Sequence, residues 1–268
     1  MMYKKHTSEF LSRILSSRRK GVLVFGHRGA RGLAPENTLS SFELALSMGI
    51  DGVEFDVMPC ASGEAVVFHD YRLDKLAGGW GWVEGTSLDK LKKFDVGAMF
   101  HQRYRGERIP SLDEVLELIQ DRLIINIELK GENARNDGLE SHVAQALRRR
   151  GLVDNAIISS FNPMRLARIN EVAPEFNTGV LVQQDAAWWL RKFWFAPLRG
   201  ADAVHPEIGM VSKPLVDGWH QKGKVVIAWP ANTPADVKML IDYGVDGIIT
   251  DRPDRLMDML GRNYELES

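Results

Sequence analysis

The sequence lacks several features that would direct the search for a function. Its 268 residues include a single cysteine, Cys60, which excludes a disulfide framework and a zinc site built from cysteines. Lysine and arginine total 34, and aspartate and glutamate total 36, so the formal net charge is −2. The chain therefore has no excess of positive charge that would favour a nucleic-acid partner.

Long hydrophobic runs are absent as well. No stretch approaches the roughly 18 uninterrupted apolar residues of a membrane-spanning helix. An apolar stretch at residues 10–15 is short and is interrupted by Arg13, whereas a secretory signal needs about 7–15 apolar residues. With 44% hydrophobic and 26% charged residues, the composition is that of a globular protein. We therefore expect a soluble, cytoplasmic protein.

Short β-branched segments alternate with segments of helical length. Eight of them are predicted strands: residues 22–27, 52–57, 123–129, 156–160, 178–182, 203–205, 225–229 and 247–250. Helix starts lie between them, because Ser111 and Glu114 have capping-box spacing, and Asn162 and Thr233 each precede a proline. Strands that alternate with helices predict a parallel sheet, and eight such units favour a (β/α)8 TIM barrel over a doubly wound open sheet.

The interval between the second and third predicted strands is too long for one helix. Residues 65–70 have the pattern of a further strand, and Ser62 and Gly63 suit a two-residue turn that returns the chain antiparallel to the second strand. This register would place Asp56 directly opposite His69, on the same face.

The rest of that interval, residues 71–110, is rich in glycine and aromatic residues and is interpreted as a small insertion after the hairpin. We find no internal repeat, low-complexity tract or interdomain linker. The prediction is an N-terminal extension over residues 1–20, followed by a single barrel domain over residues 21–262 that carries the insertion.

Three carboxylates occupy strand positions where a barrel normally carries apolar side chains. Glu54 and Asp56 share one face of the second strand, and Glu128 lies near the end of the third. Because the C-terminal ends of barrel strands converge on the active-site end, we expect the three acids to meet there. Without a cation they would repel one another, and a hard ion such as Mg²⁺ or Ca²⁺ relieves that repulsion. The alternative is that each acid pairs with an arginine or lysine at the barrel rim.

Two histidines are predicted beside these acids. His27 ends the first strand, and His69 faces Asp56 in the predicted hairpin. Imidazole is the side chain best suited to general acid and base catalysis near neutral pH. Arg28, next to His27, offers a guanidinium fork for a phosphate. We favour a catalytic pair over structural histidines because both histidines flank the acids.

The residues fall into motifs that resemble the signature of the glycerophosphodiester phosphodiesterase family. In chain order the motifs are His27-Arg28-Gly29, Pro35-Glu36-Asn37-Thr38, Glu54-Phe55-Asp56, His69-Asp70, Ile109-Pro110-Ser111-Leu112, Asn126-Ile127-Glu128-Leu129-Lys130 and residues 244–251. The similarity covers about residues 22–256. It implies a (β/α)8 barrel that hydrolyses small glycerophosphodiesters to glycerol 3-phosphate and an alcohol, with one divalent ion, Mg²⁺ or Ca²⁺.

The resemblance also implies a role for each site residue. Three positions match the metal ligands: Glu54, Asp56 and Glu128. Two match the general base and the general acid: His27 and His69. Three match substrate contacts, the first two of them to phosphate: Arg28, Lys130 and Trp229. The family's Trp-Thr-Val-Asn motif reads Trp-Pro-Ala-Asn at residues 229–232, with a proline in place of threonine near the alcohol pocket. Without the family, the residues do not decide which histidine is the acid.

Two other functions stand beside hydrolysis of soluble diesters such as glycerophosphocholine. A lysophospholipase D on the same scaffold would take substrates with one acyl chain, and the aromatic residues within 185–200 would favour it. A barrel that only binds phosphodiesters would have lost a histidine or a carboxylate of the set, and all five are present. We interpret residues 185–200 and 10–15 as helices packed on the barrel rather than membrane contacts. No oligomeric state is predicted.

Overall fold

The computed structural model describes residue 14 and residues 21–75, 78–131, 136–185 and 200–262. The strands, in chain order, are β1 (Leu23–His27), β2 (Gly52–Pro59), β3 (Ala65–Val67), β4 (Ile124–Leu129), β5 (Ala156–Ser160), β6 (Asn177–Val182), β7 (Ala203–Pro206), β8 (Val225–Ala228) and β9 (Gly247–Thr250). All pair in parallel except β3, and β1 pairs with both β2 and β9. Eight strands thus close into the predicted TIM barrel, and the open doubly wound sheet is excluded.

Helices cover the outside of this barrel. They are α1 (Leu39–Ser47), α2 (Leu88–Leu91), α3 (Leu112–Ile119), α4 (Leu139–Arg149), α5 (Pro163–Val172), α6 (Lys213–Gln221), α7 (Pro234–Tyr243) and α8 (Pro253–Met259). The predicted helix starts are confirmed: Ser111 and Glu114 form a capping box on α3, Asn162 caps α5, and Thr233 caps α7.

Apolar side chains fill both sides of the barrel wall. The cluster inside the barrel consists of Ile14, Leu23, Phe25, Ile124, Ile157, Ala203, Val225, Ile227 and Ile249. Ile125 and Ile127 of β4 belong instead to the larger cluster between the wall and the helices. Because successive strand residues point to opposite faces, Asn126 and Glu128 face inward with Ile124. The inward face of β4 thus changes from apolar to charged toward its C-terminal end.

The hairpin between β2 and β3 differs from the prediction by one residue. Val57 lies opposite Val67, and the backbone N–H of Cys60 donates to the carbonyl of Glu64 at 3.0 Å. The turn therefore has three residues rather than two, and Gly63 takes a left-handed conformation at φ +96°. Three-residue hairpin loops commonly place glycine in this conformation, and a Ser-Gly pair suits both kinds of turn.

This shift moves His69 out of the paired part of the hairpin. Asp56 lies opposite Phe68, whose backbone N–H donates to the Asp56 carbonyl at 3.1 Å. The prediction that Asp56 faces His69 across the hairpin was therefore wrong, since a slip of one residue turns every side chain to the other face. His69 instead enters from the irregular segment after β3, where it lines the same cavity as Glu54 and Glu128.

The hairpin and the chain that follows it form a separate apolar layer. Its buried members are Met58, Cys60, Val66, Phe68, Leu73, Val83, Leu91, Val96 and Ile109. Two tryptophans of this region point into solvent, since Trp80 is 86% exposed and Trp82 is 52% exposed.

No helix within the described ranges is long and apolar enough to cross a membrane. The aromatic residues predicted to pack on the barrel, within 186–199, lie outside the described residues, so that interpretation stays a prediction. The same holds for residues 1–20 apart from Ile14, which is 1% exposed and belongs to the cluster inside the barrel.

Candidate active site

Three carboxylates meet at the C-terminal end of the barrel. Glu54 and Asp56 come from β2 and Glu128 from β4, and each offers an oxygen within 4.8 Å of the others. The parallel register pairs Asp56 with Glu128 directly, and strand alternation turns Glu54 to the same side. All three side chains are buried. The acids thus converge as the strand positions predict.

Two cations and one amide hydrogen bond stabilise the charge of Asp56. Arg28 Nε lies 3.1 Å from one oxygen of Asp56, and Lys130 Nζ lies 3.5 Å from the other. Asn37 Nδ2 donates a further hydrogen bond to Asp56 at 3.0 Å. Burial alone would raise the pKa of Asp56, but the charges of Lys130 and Arg28 hold it below its usual range. Asp56 therefore carries its negative charge stably.

Glu54 and Glu128 are less well compensated. Glu54 Oε2 accepts from the backbone N–H of Arg28 at 3.3 Å, and His27 Nε2 lies 3.8 Å from the same oxygen. Burial, together with the charges of Asp56 and Glu128, raises the pKa of Glu54 well above its ordinary value. Burial also raises the pKa of Glu128, although Lys130 Nζ lies 3.1 Å away. The alternative interpretation, in which each acid pairs with an arginine or lysine at the barrel rim, therefore describes Asp56 better than Glu54.

This donor set fits a hard divalent ion. The three side chains offer carboxylate oxygens, which Mg²⁺ and Ca²⁺ prefer to nitrogen and sulfur. Their mutual repulsion, expressed in the raised pKa values of Glu54 and Glu128, is what a cation between them would relieve. The residues present are thus able to hold a divalent ion.

A carboxylate outside this set of three, Asp251, orients His27. Its Nδ1 lies 2.6 Å from Asp251 Oδ1, and Asp251 Oδ2 accepts a hydrogen bond from Asn232 Nδ2 at 2.8 Å. With Nδ1–H donated to the carboxylate, the lone pair of the neutral ring is at Nε2, on the side of Glu54. Burial lowers the pKa of His27, and the bond to Asp251 only partly offsets that effect. The neutral form of His27 is therefore favoured.

His69 has the same kind of support from its neighbour in sequence. Its Nδ1 lies 2.8 Å from Asp70 Oδ1. Burial and the nearby charges of Lys130 and Arg28 lower the pKa of His69, whereas the charge of Asp56 raises it. The His69 ring lines the same cavity as His27, so the two histidines approach a shared space.

Arg28 is fixed by a strained turn. It takes a left-handed conformation at φ +51°, as does Asn37 at φ +58°, which is uncommon for residues other than glycine. The Arg28 carbonyl accepts from Asn37 N and from Ser41 Oγ, each at 3.0 Å. Glu36 Oε1 holds the guanidinium at 2.5 Å. Three contacts therefore hold this arginine in an unfavourable conformation beside the acids.

Glu54, Glu128 and the two histidines open onto a cavity of about 630 Å³. Its charged wall contains Arg28 and Lys130. Its apolar wall consists of Tyr71, Phe161, Leu181, Trp229 and Ile249. The Trp229 indole is locked in place because its Nε1–H donates to the His205 carbonyl at 2.8 Å. A small substrate with one charged and one apolar side matches such a cavity.

The sequence-based site missed the residues that orient the others. Asp251, Asn37 and Asp70 fall within the quoted motifs, but their sequence positions carry no sign of what they contact. Asp251 lies 224 residues from His27 along the chain. Only the adjacency of Asp70 to His69 offered a usable signal.

Comparison with known proteins gives a consistent result. The sequence model of the glycerophosphoryl diester phosphodiesterase family matches residues 27–255, a range that contains all eight predicted site residues. A protein of Caldanaerobacter subterraneus subsp. tengcongensis named glycerophosphodiester phosphodiesterase is 36% identical over 241 residues, which cover 89% of this chain and 98% of that protein.

Solved structures agree with the fold. A structure from Silicibacter pomeroyi superposes with a TM-score of 0.82 at 28% identity, and the match covers 97% of each chain. A phosphodiesterase from Oleispira antarctica, solved in complex with the product sn-glycerol-3-phosphate, gives a TM-score of 0.79 at 29% identity. That match covers 91% of this chain and 99% of the other.

Proposed function

Because this chain belongs to the glycerophosphoryl diester phosphodiesterase family and is a phosphoric diester hydrolase, we propose that His27 and His69 act as its base and acid. Its substrates are glycerophosphodiesters, and its products are sn-glycerol 3-phosphate and an alcohol. One divalent ion, Mg²⁺ or Ca²⁺, is held by Glu54, Asp56 and Glu128. The observation that carries this proposal is that two histidines, each oriented by a carboxylate, line one cavity with Glu54 and Glu128.

The charged wall binds the phosphate. Arg28 and Lys130 line the cavity. Burial lowers the pKa of each, but the neighbouring carboxylates raise it by more, so both side chains remain cationic. When bound, the divalent ion supplies Lewis-acid stabilisation of the charge that grows on the phosphate oxygens. Trp229 and Phe161, whose rings meet edge to face at 5.5 Å, cover the carbon backbone of the substrate.

The two histidines move the protons. His27 Nε2 takes a proton from the nucleophile, either the glycerol 2-hydroxyl or water, while the new P–O bond forms. If the 2-hydroxyl attacks, the product of this step is a cyclic phosphate, and a water molecule then opens it to sn-glycerol 3-phosphate. Asp251 stabilises the imidazolium that results. His69 gives its proton to the alkoxide oxygen as the old P–O bond breaks, and the anionic phosphate favours its protonated form until then. The negative charge of Asp56 also favours that form.

Release of sn-glycerol 3-phosphate from glycerophosphocholine tests the proposed ion. We expect EDTA to abolish release and either Mg²⁺ or Ca²⁺ to restore it, because the buried acids need a cation to bind an anionic substrate. The measurement is an enzymatic assay of free sn-glycerol 3-phosphate on the purified chain. Release that persists in EDTA would contradict the requirement for a divalent ion. Absence of release with either metal would contradict glycerophosphocholine as a substrate.

A lysophospholipase D activity is the second candidate, and one observation favours it. Trp80 and Trp82 are exposed on the segment that continues from His69 through Tyr71, which lines the cavity. Exposed tryptophans beside an active site suit a substrate that carries an acyl chain.

We expect the deacylated substrate to be preferred, since a cavity of about 630 Å³ lies within the usual range for small molecules. The measurement is kcat/KM for glycerophosphocholine and for lysophosphatidylcholine below its aggregation concentration. A ratio of about tenfold or more in favour of glycerophosphocholine is the expected result. The reverse ratio, if abolished by a Trp80→Ser and Trp82→Ser double variant, would establish the second candidate instead.

A further inference from the structure

A fully buried arginine lies behind the lysine of the proposed phosphate site. Arg165, on α5, is only 1% exposed. Its Nη1 and Nη2 bind the two oxygens of Asp137 at 2.6 and 2.5 Å, and Nη1 also donates to Glu140 at 3.1 Å. Arginine is rarely buried to this degree, and a buried ion network adds little stability because desolvation offsets the attraction. Stability alone therefore does not account for its position.

The Arg165 guanidinium lies close to Gly131, the residue after Lys130. Gly131 has φ +142°, a conformation that side chains rarely adopt. A Cβ atom at this position would lie 2.5 Å from Arg165 Nη2 and 2.8 Å from Nε. Both the backbone conformation and the close approach of Arg165 therefore require glycine here.

Two hydrogen bonds hold Gly131 from its other sides. Its N–H donates to Tyr71 Oη at 3.1 Å, and its carbonyl accepts from Asn162 Nδ2 at 2.7 Å. The backbone that leaves Lys130 is thus fixed at its amide, its carbonyl and its Cα. The same stretch carries Lys130 Nζ to positions 3.1 Å from Glu128 and 3.5 Å from Asp56.

We propose that Arg165 is a positioning residue for the phosphodiesterase reaction. Its contact with Gly131 sets the backbone after Lys130 and so holds the lysine ammonium where it meets the substrate phosphate. The guanidinium suits this task because it approaches Gly131 closely while its Nη1 and Nη2 remain bound to carboxylates. The inference rests on the proposed function, since the phosphate contact of Lys130 belongs to it.

An Arg165→Lys variant tests the contact. Lysine keeps a positive charge for Asp137 and Glu140 but loses the planar group against Gly131. We expect KM for glycerophosphocholine and the dissociation constant of sn-glycerol 3-phosphate each to rise about tenfold, as for partial loss of a charge-assisted contact, with kcat changed less. Steady-state kinetics and calorimetric titration of the product measure the two quantities. Arg168→Lys is the matched control. Arg168 also binds Glu140, but none of the three atoms nearest to a Cβ at Gly131 belongs to it.

A second variant keeps the proposal testable if Arg165→Lys fails to fold. Gly131→Ala keeps every residue of the ion network and disturbs the same contact from the other side, so it should also raise KM and weaken product binding. Because both variants act through one contact, their combined effect on KM should be smaller than the product of the single effects.

Three outcomes separate this inference from the proposed function. If Arg165→Lys lowers the melting temperature but leaves KM and product binding unchanged, the network is only structural and the inference is wrong. Lys130→Ala is measured in parallel. If Lys130→Ala leaves KM and product binding unchanged, the phosphate role itself fails. If it weakens both while the Arg165 and Gly131 variants do not, only the positioning role is overturned.

Discussion

Replacement of His69 by alanine is expected to lower kcat for glycerophosphocholine by about 10²–10⁴-fold, the usual contribution of a general acid or base. The chain should still fold, because the His69 ring lines the cavity and packs in the irregular segment after β3 rather than in the barrel wall. His27→Ala should cause a loss of similar size. Circular dichroism and thermal unfolding check the fold, and initial rates with saturating metal check the activity.

The leaving group distinguishes the two roles. The p-nitrophenolate released from a p-nitrophenyl diester leaves without protonation, so this substrate should restore much of the activity of His69→Ala and little of that of His27→Ala. The reverse pattern would exchange the assigned acid and base. His101→Ala, at an exposed position of the insertion, is the control and should retain its activity. Near wild-type turnover of either variant with glycerophosphocholine would refute the catalytic pair.

The barrel and its acids could be predicted because their causes are local. Each strand is a short β-branched run bounded by turn residues, and the parallel connections leave little freedom in the order of strands. Glu54 and Asp56 share a face through strand alternation alone. Glu128 joins them because neighbouring parallel strands bring corresponding ends together.

Other parts of the site depend on contacts that no short stretch encodes. The hydrogen bond between His27 and Asp251 joins the end of the first strand to the residue after the last strand, and these strands become neighbours only through closure of the barrel. The hairpin register depended on whether the turn had two or three residues, and Gly63 fits both. Nothing near Arg165 in the sequence indicates that it contacts Gly131, because Arg165 lies on α5 and Gly131 follows β4.

The paired acids of β2 should respond in opposite ways to loss of their charge. Glu54→Gln and Asp56→Asn are both isosteric, and each removes one proposed metal ligand. Lewis-acid stabilisation is worth several kcal/mol, so each variant should lose about 10³-fold or more in metal-dependent turnover. In the absence of metal, however, their effects on stability should differ in sign.

The sign follows from the surroundings of each carboxylate. The pKa of Glu54 is raised in the folded chain, so at pH 7, above its unfolded value, its ionised form opposes folding, and Glu54→Gln should raise the melting temperature in EDTA. The pKa of Asp56 is lowered by Lys130 and Arg28 despite burial, so its charge supports folding at pH 7. Removing one member of a buried ion pair costs about 3–5 kcal/mol, which lowers the melting temperature by roughly 6 °C or more.

Differential scanning calorimetry of both variants, with EDTA and then with Mg²⁺ or Ca²⁺, measures these effects. Wild-type protein should gain stability when metal is added, because binding to the folded state alone shifts the equilibrium toward it. Glu54→Gln should begin from a higher melting temperature and gain less on metal addition. Shifts of the same sign for Glu54→Gln and Asp56→Asn in EDTA would contradict the distribution of charge described for this site. An unchanged response to metal in both variants would remove these carboxylates from the ion's ligands.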